Sequence, residues 1–107
     1  MRNRTTKEVI ENKQLYALML RSPTSSLYHN YFIGFYQHQG ELFISSSSSF
    51  DNDNIKCYYT INGAKKAAEK IFKEYFGCLE DLIYIVDQCG KLIMVYDGKM
   101  WSNIKEV

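Results

Sequence analysis

The chain has a single proline, Pro23, and its six glycines are scattered too widely to form a phosphate-cradling loop. Its three cysteines, Cys57, Cys78 and Cys89, are odd in number and lack CxxC spacing, which argues against both a disulfide framework and a zinc knuckle. They read as small, semi-buried hydrophobes in a reduced, cytoplasmic protein. Also lacking are an apolar run long enough to span a bilayer and a secretory signal pattern. There is no nucleophile elbow, no HExxH and no pair of carboxylates in a recognisable frame. His29 and His38 stand nine apart in one expected strand and point to opposite faces unless Gly34 bulges. Asp51-Asn52-Asp53-Asn54 begins like a calcium loop, but Lys56 stands where that loop wants glycine and Asn62 where it wants glutamate. The expectation is a protein without catalytic, cofactor or metal residues, and not an enzyme.

Basic residues are missing from one long stretch. Ser22 to Asn54 has no Lys or Arg, against Glu41, Asp51 and Asp53. The formal charge of the whole chain is only +1, a weak base excess for a protein that would hold nucleic acid by its phosphates.

What the sequence does have is one clear helix. In Thr60 to Gly77, apolar residues fall at Ile61, Ala64, Ala68, Ile71 and Tyr75, with Ala67, Phe72 and Phe76 beside them. Lys65, Lys66, Glu69, Lys70, Lys73 and Glu74 take the other face. Thr60 or Asn62 can cap the start, and Gly77 stands where a left-handed residue would end the helix.

Strands are expected on either side of it. Leu15 to Arg21 is apolar at both parities, as in a strand covered on both faces or central to a sheet. Leu27 to His38 reads as a long strand in which Gly34 marks a bulge or a close backbone approach. Gln39-Gly40 then turns the chain into Glu41 to Ser47. Ile55 to Thr60 suits a short edge strand. Leu82 to Asp87 and Leu92 to Tyr96 form a further pair, and Asp97-Gly98 predicts a last strand over Lys99 to Ser102. The expected architecture is α+β, with one main helix packed on an antiparallel sheet of five to six strands in the order β-β-β-(β)-α-β-β-β. The sheet face away from the helix is expected to stay partly in water. Residues 15–107 form this single domain, preceded over 1–14 by a short helix or a basic arm.

With chemistry unsupported, recognition is the function left to weigh. The base-free segment carries Tyr28, His29, Tyr31, Tyr36 and Phe50 among serines and asparagines. Tyrosine offers contact area at low entropy cost, and Ser and Asn offer adaptable hydrogen bonds. The same tyrosines also suit ordinary strands. The first expectation is a non-enzymatic protein-binding inhibitor that uses Tyr28, His29, Tyr31, Tyr36, Phe50, Asp51 and Asp53, with the aromatic and acidic loop meeting a basic channel on its partner. The alternative is a small nucleic-acid-binding module using Arg2, Arg4, Lys65, Lys66, Lys70 and Lys73. A minor enzyme subunit, or a homodimer or other homo-oligomer sealed through exposed sheet surface, is a third reading.

The strand-rich N-terminal half, the TINGAKKAAEKI helix start, the LIYIVD strand and the Tyr/Asn-rich, nearly proline-free composition together resemble small bacteriophage and mobile-element proteins, including anti-CRISPR inhibitors. The resemblance implies a stoichiometric protein in the host cytoplasm that occupies a surface of a host defence nuclease, such as a CRISPR effector. It carries no motif by which a functional residue could be transferred.

Overall fold

Strand β1 (Tyr16–Ser22) lies at the centre, and its burial explains its composition. Leu18 and Leu20 face one way into a core with Phe32, Ala64, Ala68, Ile71, Ile83 and Ile85. Ala17 and Met19 face the other way, into a second cluster with Ile55 and Val86. A strand with both faces buried can be apolar at every position, which is the pattern the sequence shows. The computed structural model describes residues 14–50 and 54–104. The expected N-terminal arm, with Arg2 and Arg4, and the loop acids Asp51 and Asp53 lie outside the described residues.

The other strands are β2 (Leu27–His38), β3 (Glu41–Ser47), β4 (Leu82–Asp87), β5 (Leu92–Tyr96) and β6 (Trp101–Asn103). They form one antiparallel sheet in the order β3-β2-β1-β4-β5-β6. The single α-helix among the described residues, α1 (Ile61–Tyr75), crosses one face of this sheet. The fold is therefore α+β, as expected. The last strand is Trp101–Asn103, two residues later than expected at its start, because the Asp97 carboxylate ties up Lys99 and Met100. Its Oδ1 accepts from the backbone N–H of Lys99 at 2.8 Å and of Met100 at 3.0 Å, which holds those residues in the turn.

Helix α1 starts at Thr60, whose Oγ1 accepts from the Gly63 N–H at 3.0 Å. Ala64, Ala68 and Ile71 are its fully buried residues, so the small side chains let the helix approach the sheet closely. At the C-terminus Phe76 is extended and Gly77 follows at φ 145°, a positive angle that side chains rarely adopt, as expected of the glycine that ends the helix. The buried Asp81 fastens this end. Its Oδ2 accepts from the N–H groups of Gly77 and Cys78, both at 2.9 Å, and its Oδ1 accepts from Ser22 Oγ at 2.8 Å. One carboxylate thus joins the helix exit to the end of β1.

The face away from α1 is less open than expected. Phe50 folds under the sheet, edge-on to Tyr31 with ring centroids 5.0 Å apart and against the turn at Gly90. With Ile55 it closes the second cluster, next to Tyr84 and Leu92. The chain then rises through a notch where β2 parts from β1. There Lys56 N–H donates to the Phe32 carbonyl at 3.0 Å, and Tyr16 and Tyr58 exchange backbone hydrogen bonds of 2.8 and 2.7 Å. The expected edge strand over 55–60 is thus one isolated bridge, Tyr16 to Tyr58, wedged between two strands. Cys57 is half-buried there, whereas Cys78 and Cys89 are exposed and do not serve as the semi-buried hydrophobes expected.

At this notch burial, with the neighbouring Cys57 second, pushes the Tyr58 hydroxyl up to about 12. The folded protein holds the Tyr58 proton more tightly than the unfolded chain does. The associated stability is complete below about pH 10, the ordinary tyrosine value, and is lost as pH rises toward about 12. Urea midpoints measured across that alkaline window should fall for the wild type. They should fall less steeply for Tyr58→Phe; equal slopes would refute this assignment.

Candidate binding surface

Past the notch, β2 and β3 continue as a two-stranded ribbon. Its tip is the Gln39-Gly40 turn, with φ values of 52° and 83°, the two positive angles that a type I′ hairpin requires. The register pairs Phe35 with Ile44, Tyr36 with Phe43, Gln37 with Leu42 and His38 with Glu41. Cross-strand partners share a face, so the ribbon presents two different surfaces.

On the helix side, Phe35 meets Phe32 edge-on at 5.1 Å and stacks with Tyr75 at 6.0 Å. The Lys70 ammonium lies 5.2 Å from the centre of the Phe35 ring. On the far side, Tyr36 and Phe43 stack at 5.6 Å with 27° between their planes. They remain 51% and 37% exposed, although packing in a core would cover them.

Between this pair and the Tyr31–Phe50 pair, the floor of the far face is made of small residues. Gly34 stands opposite Ser45, and Tyr31 stands opposite Ser47. A side chain added at Gly34 would meet nothing within 4 Å, so its glycine does not serve a close backbone approach. The register slips between Phe32 and Gly34, which bears out the bulge expected near this position. Two aromatic pairs thus stand as walls on either side of the Gly34–Ser45 pair, all of them in the base-free part of the chain. The chemistry of this face suits an extended segment carrying both apolar and hydrogen-bonding groups.

The expected contact residues are not all gathered here. Tyr36 forms one wall with Phe43, and Tyr31 and Phe50 form the other while also covering the second cluster. Tyr28 and His29 lie at the far end of β2, both exposed. His29 is the extra residue of a second bulge, opposite the Leu20/Arg21 step, with a left-handed φ of 67°. That bulge is held by a 2.9 Å hydrogen bond from the Tyr28 N–H to Asn30 Oδ1. The bulge between Phe32 and Gly34 therefore lies between His29 and His38 at the hairpin tip. Among the described residues, no group of three or more His, Cys, Asp or Glu is placed to hold a metal ion.

The helix lysines diverge. Lys65 leans over Trp101 with its ammonium 5.6 Å from the ring, on the flank opposite Lys70 and Phe35. Trp101 Nε1 also donates to Glu69 at 2.9 Å, so a carboxylate sits among these bases. Lys66 and Lys73 are exposed on the outer face of the helix.

Sequence reasoning missed Phe35, Leu42 and Phe43. The available signal was the hairpin itself, because Phe35-Tyr36 before the polar turn and Leu42-Phe43-Ile44 after it place apolar residues at both parities. Such a ribbon outruns any single 15-residue helix that could roof it. No family model, curated protein or solved structure matches this chain. Among the described residues, no helix is long and apolar enough to cross a membrane.

Proposed function

We propose that this chain is a non-enzymatic protein-binding module that engages its partner through the far face of the β2–β3 ribbon. The observation carrying this reading is the solvent-exposed Tyr36–Phe43 stack beside the Gly34–Ser45 pair, in a segment without Lys or Arg. Exposed, mutually buttressed rings lose little side-chain entropy on binding, and aromatic anchors dominate interface energetics. The absence of base favours a partner surface that supplies it, since like charge would then not oppose docking. The resemblance to phage inhibitors makes a host defence nuclease complex the first partner to test, with the protein acting as an inhibitor by occupancy.

The nucleic-acid alternative has less support, because Lys65 and Lys70 lean to opposite flanks of α1 and Glu69 lies between them. The two readings separate in one experiment. A partner captured from host lysate and purified should bind Tyr36→Ser/Phe43→Ser more weakly by about 2 kcal/mol, or roughly thirtyfold. It should bind Lys66→Glu/Lys73→Glu almost as tightly as the original. The reverse pattern, with affinity that collapses as salt rises, would replace this proposal with the nucleic-acid one.

A further inference from the structure

The two edges of the sheet are built differently. At one end, β6 is only three residues long, which blunts it against pairing with another chain. At the other, β3 runs for seven residues as ELFISSS, with no proline, no lysine and no bulge of its own. Among the described residues, no element pairs with its outer side. Edge strands of soluble proteins usually carry some device against extension, and this one has only the charge of Glu41, at its turn end.

The hairpin geometry fixes which backbone groups of β3 point outward. A two-residue type I′ loop makes its flanking residues, His38 and Glu41, a hydrogen-bonded pair. Alternation along an antiparallel ladder then turns Phe43 and Ser45 inward to β2, and Leu42, Ile44 and Ser46 outward. These three outward positions are symmetric about Ile44.

We infer that β3 pairs with β3 of a second copy of this chain, antiparallel about a two-fold axis at Ile44. In that register Ile44 faces Ile44 of the other copy, and Leu42 faces Ser46 in both directions. Every outward N–H and C=O of the three positions finds a partner. Glu41, the only charged residue of the strand, stands opposite Ser47 rather than its own counterpart, so no like charges meet. An isologous contact of this kind closes on itself and forms no fibre.

The dimer changes the surface as well as the mass. Phe43 faces Ser45 of the second copy, and the two Phe43 residues become diagonal neighbours with Cα atoms about 7–8 Å apart. Two Tyr36–Phe43 stacks then form one band of four rings across the far face of a continuous sheet. The inference holds whatever the band binds, because it rests on the backbone of β3 alone.

Sedimentation of the full chain across a wide concentration series should show a reversible equilibrium between the 12.6 kDa chain and a species of twice that mass. Ser46→Pro removes an outward N–H while sparing the bonds to β2, and Leu42→Lys adds a charge at the pairing edge. Both variants should sediment as monomers with far-ultraviolet dichroism like that of the original. Amide exchange in the unaltered chain provides a check that needs no substitution. The N–H groups of Leu42, Ile44 and Ser46 should gain protection as concentration rises. A wild-type monomer throughout, a dimer that survives both substitutions, or fast exchange at all three amides in the dimer would each overturn the inference.

Discussion

Ile71→Asp is expected to abolish the cooperative thermal transition. Ile71 has no exposed surface and is surrounded by Leu18, Leu20, Phe32, Ala64, Ala68, Ile83 and Ile85, none of which can accept a charge. The substitution removes a buried aliphatic group and places a carboxylate in a hydrophobic cluster. The combined cost is about 5 kcal/mol or more, comparable to the whole stability of an ordinary small domain. Ile71→Val, which deletes one methylene, should cost only about 1 kcal/mol and still melt in one step. Dichroism melts of the two variants check this. An aspartate variant melting like the original would mean that α1 is not what closes the core.

The second large effect belongs to a residue the sequence did not mark. Asp81→Ala is expected to cost about 3 kcal/mol, because it leaves Ser22 Oγ and the N–H groups of Gly77 and Cys78 without their acceptor. Ser22 and Asp81 are the two fully buried polar side chains among the described residues, so water does not readily replace what is lost. Asp81→Asn should recover most of the loss. Its carbonyl can take the two backbone donors while its amide donates to Ser22 Oγ. Urea denaturation of the three proteins gives the comparison, and equal losses for Ala and Asn would show that the shape of the side chain matters more than its acceptors.

These two residues illustrate what was legible beforehand. Ile71 belongs to a stripe with helical spacing, and such periodicity follows from the helix itself, so its burial was readable without coordinates. Strands β2, β3, β4 and β5 were delimited correctly by their turn residues for the same reason. Asp81 sits four residues past Gly77 in a polar turn, where nothing local separates a buried carboxylate from a solvated one. Its partner Ser22 is 59 positions away, and no local pattern reports that distance. The segment from 55 to 60 failed differently. Its residues suit a strand, but it lies where β1 and β2 diverge, leaving room for a single bridge. The candidate surface was half visible: the tyrosines stood out by type, whereas Phe43 became a candidate only when register placed it against Tyr36.

The crossing between β1 and β2 binds the two halves of the interior to one another. Phe50 and Ile55 seal the lower layer, and a few residues later Tyr58 and Ile61 seal the upper one. Loosening either layer pulls on a short tether already pinned at Phe32 and Tyr16. The interior should therefore open as one unit, so that slow-exchanging amides above and below the sheet report a common free energy of opening.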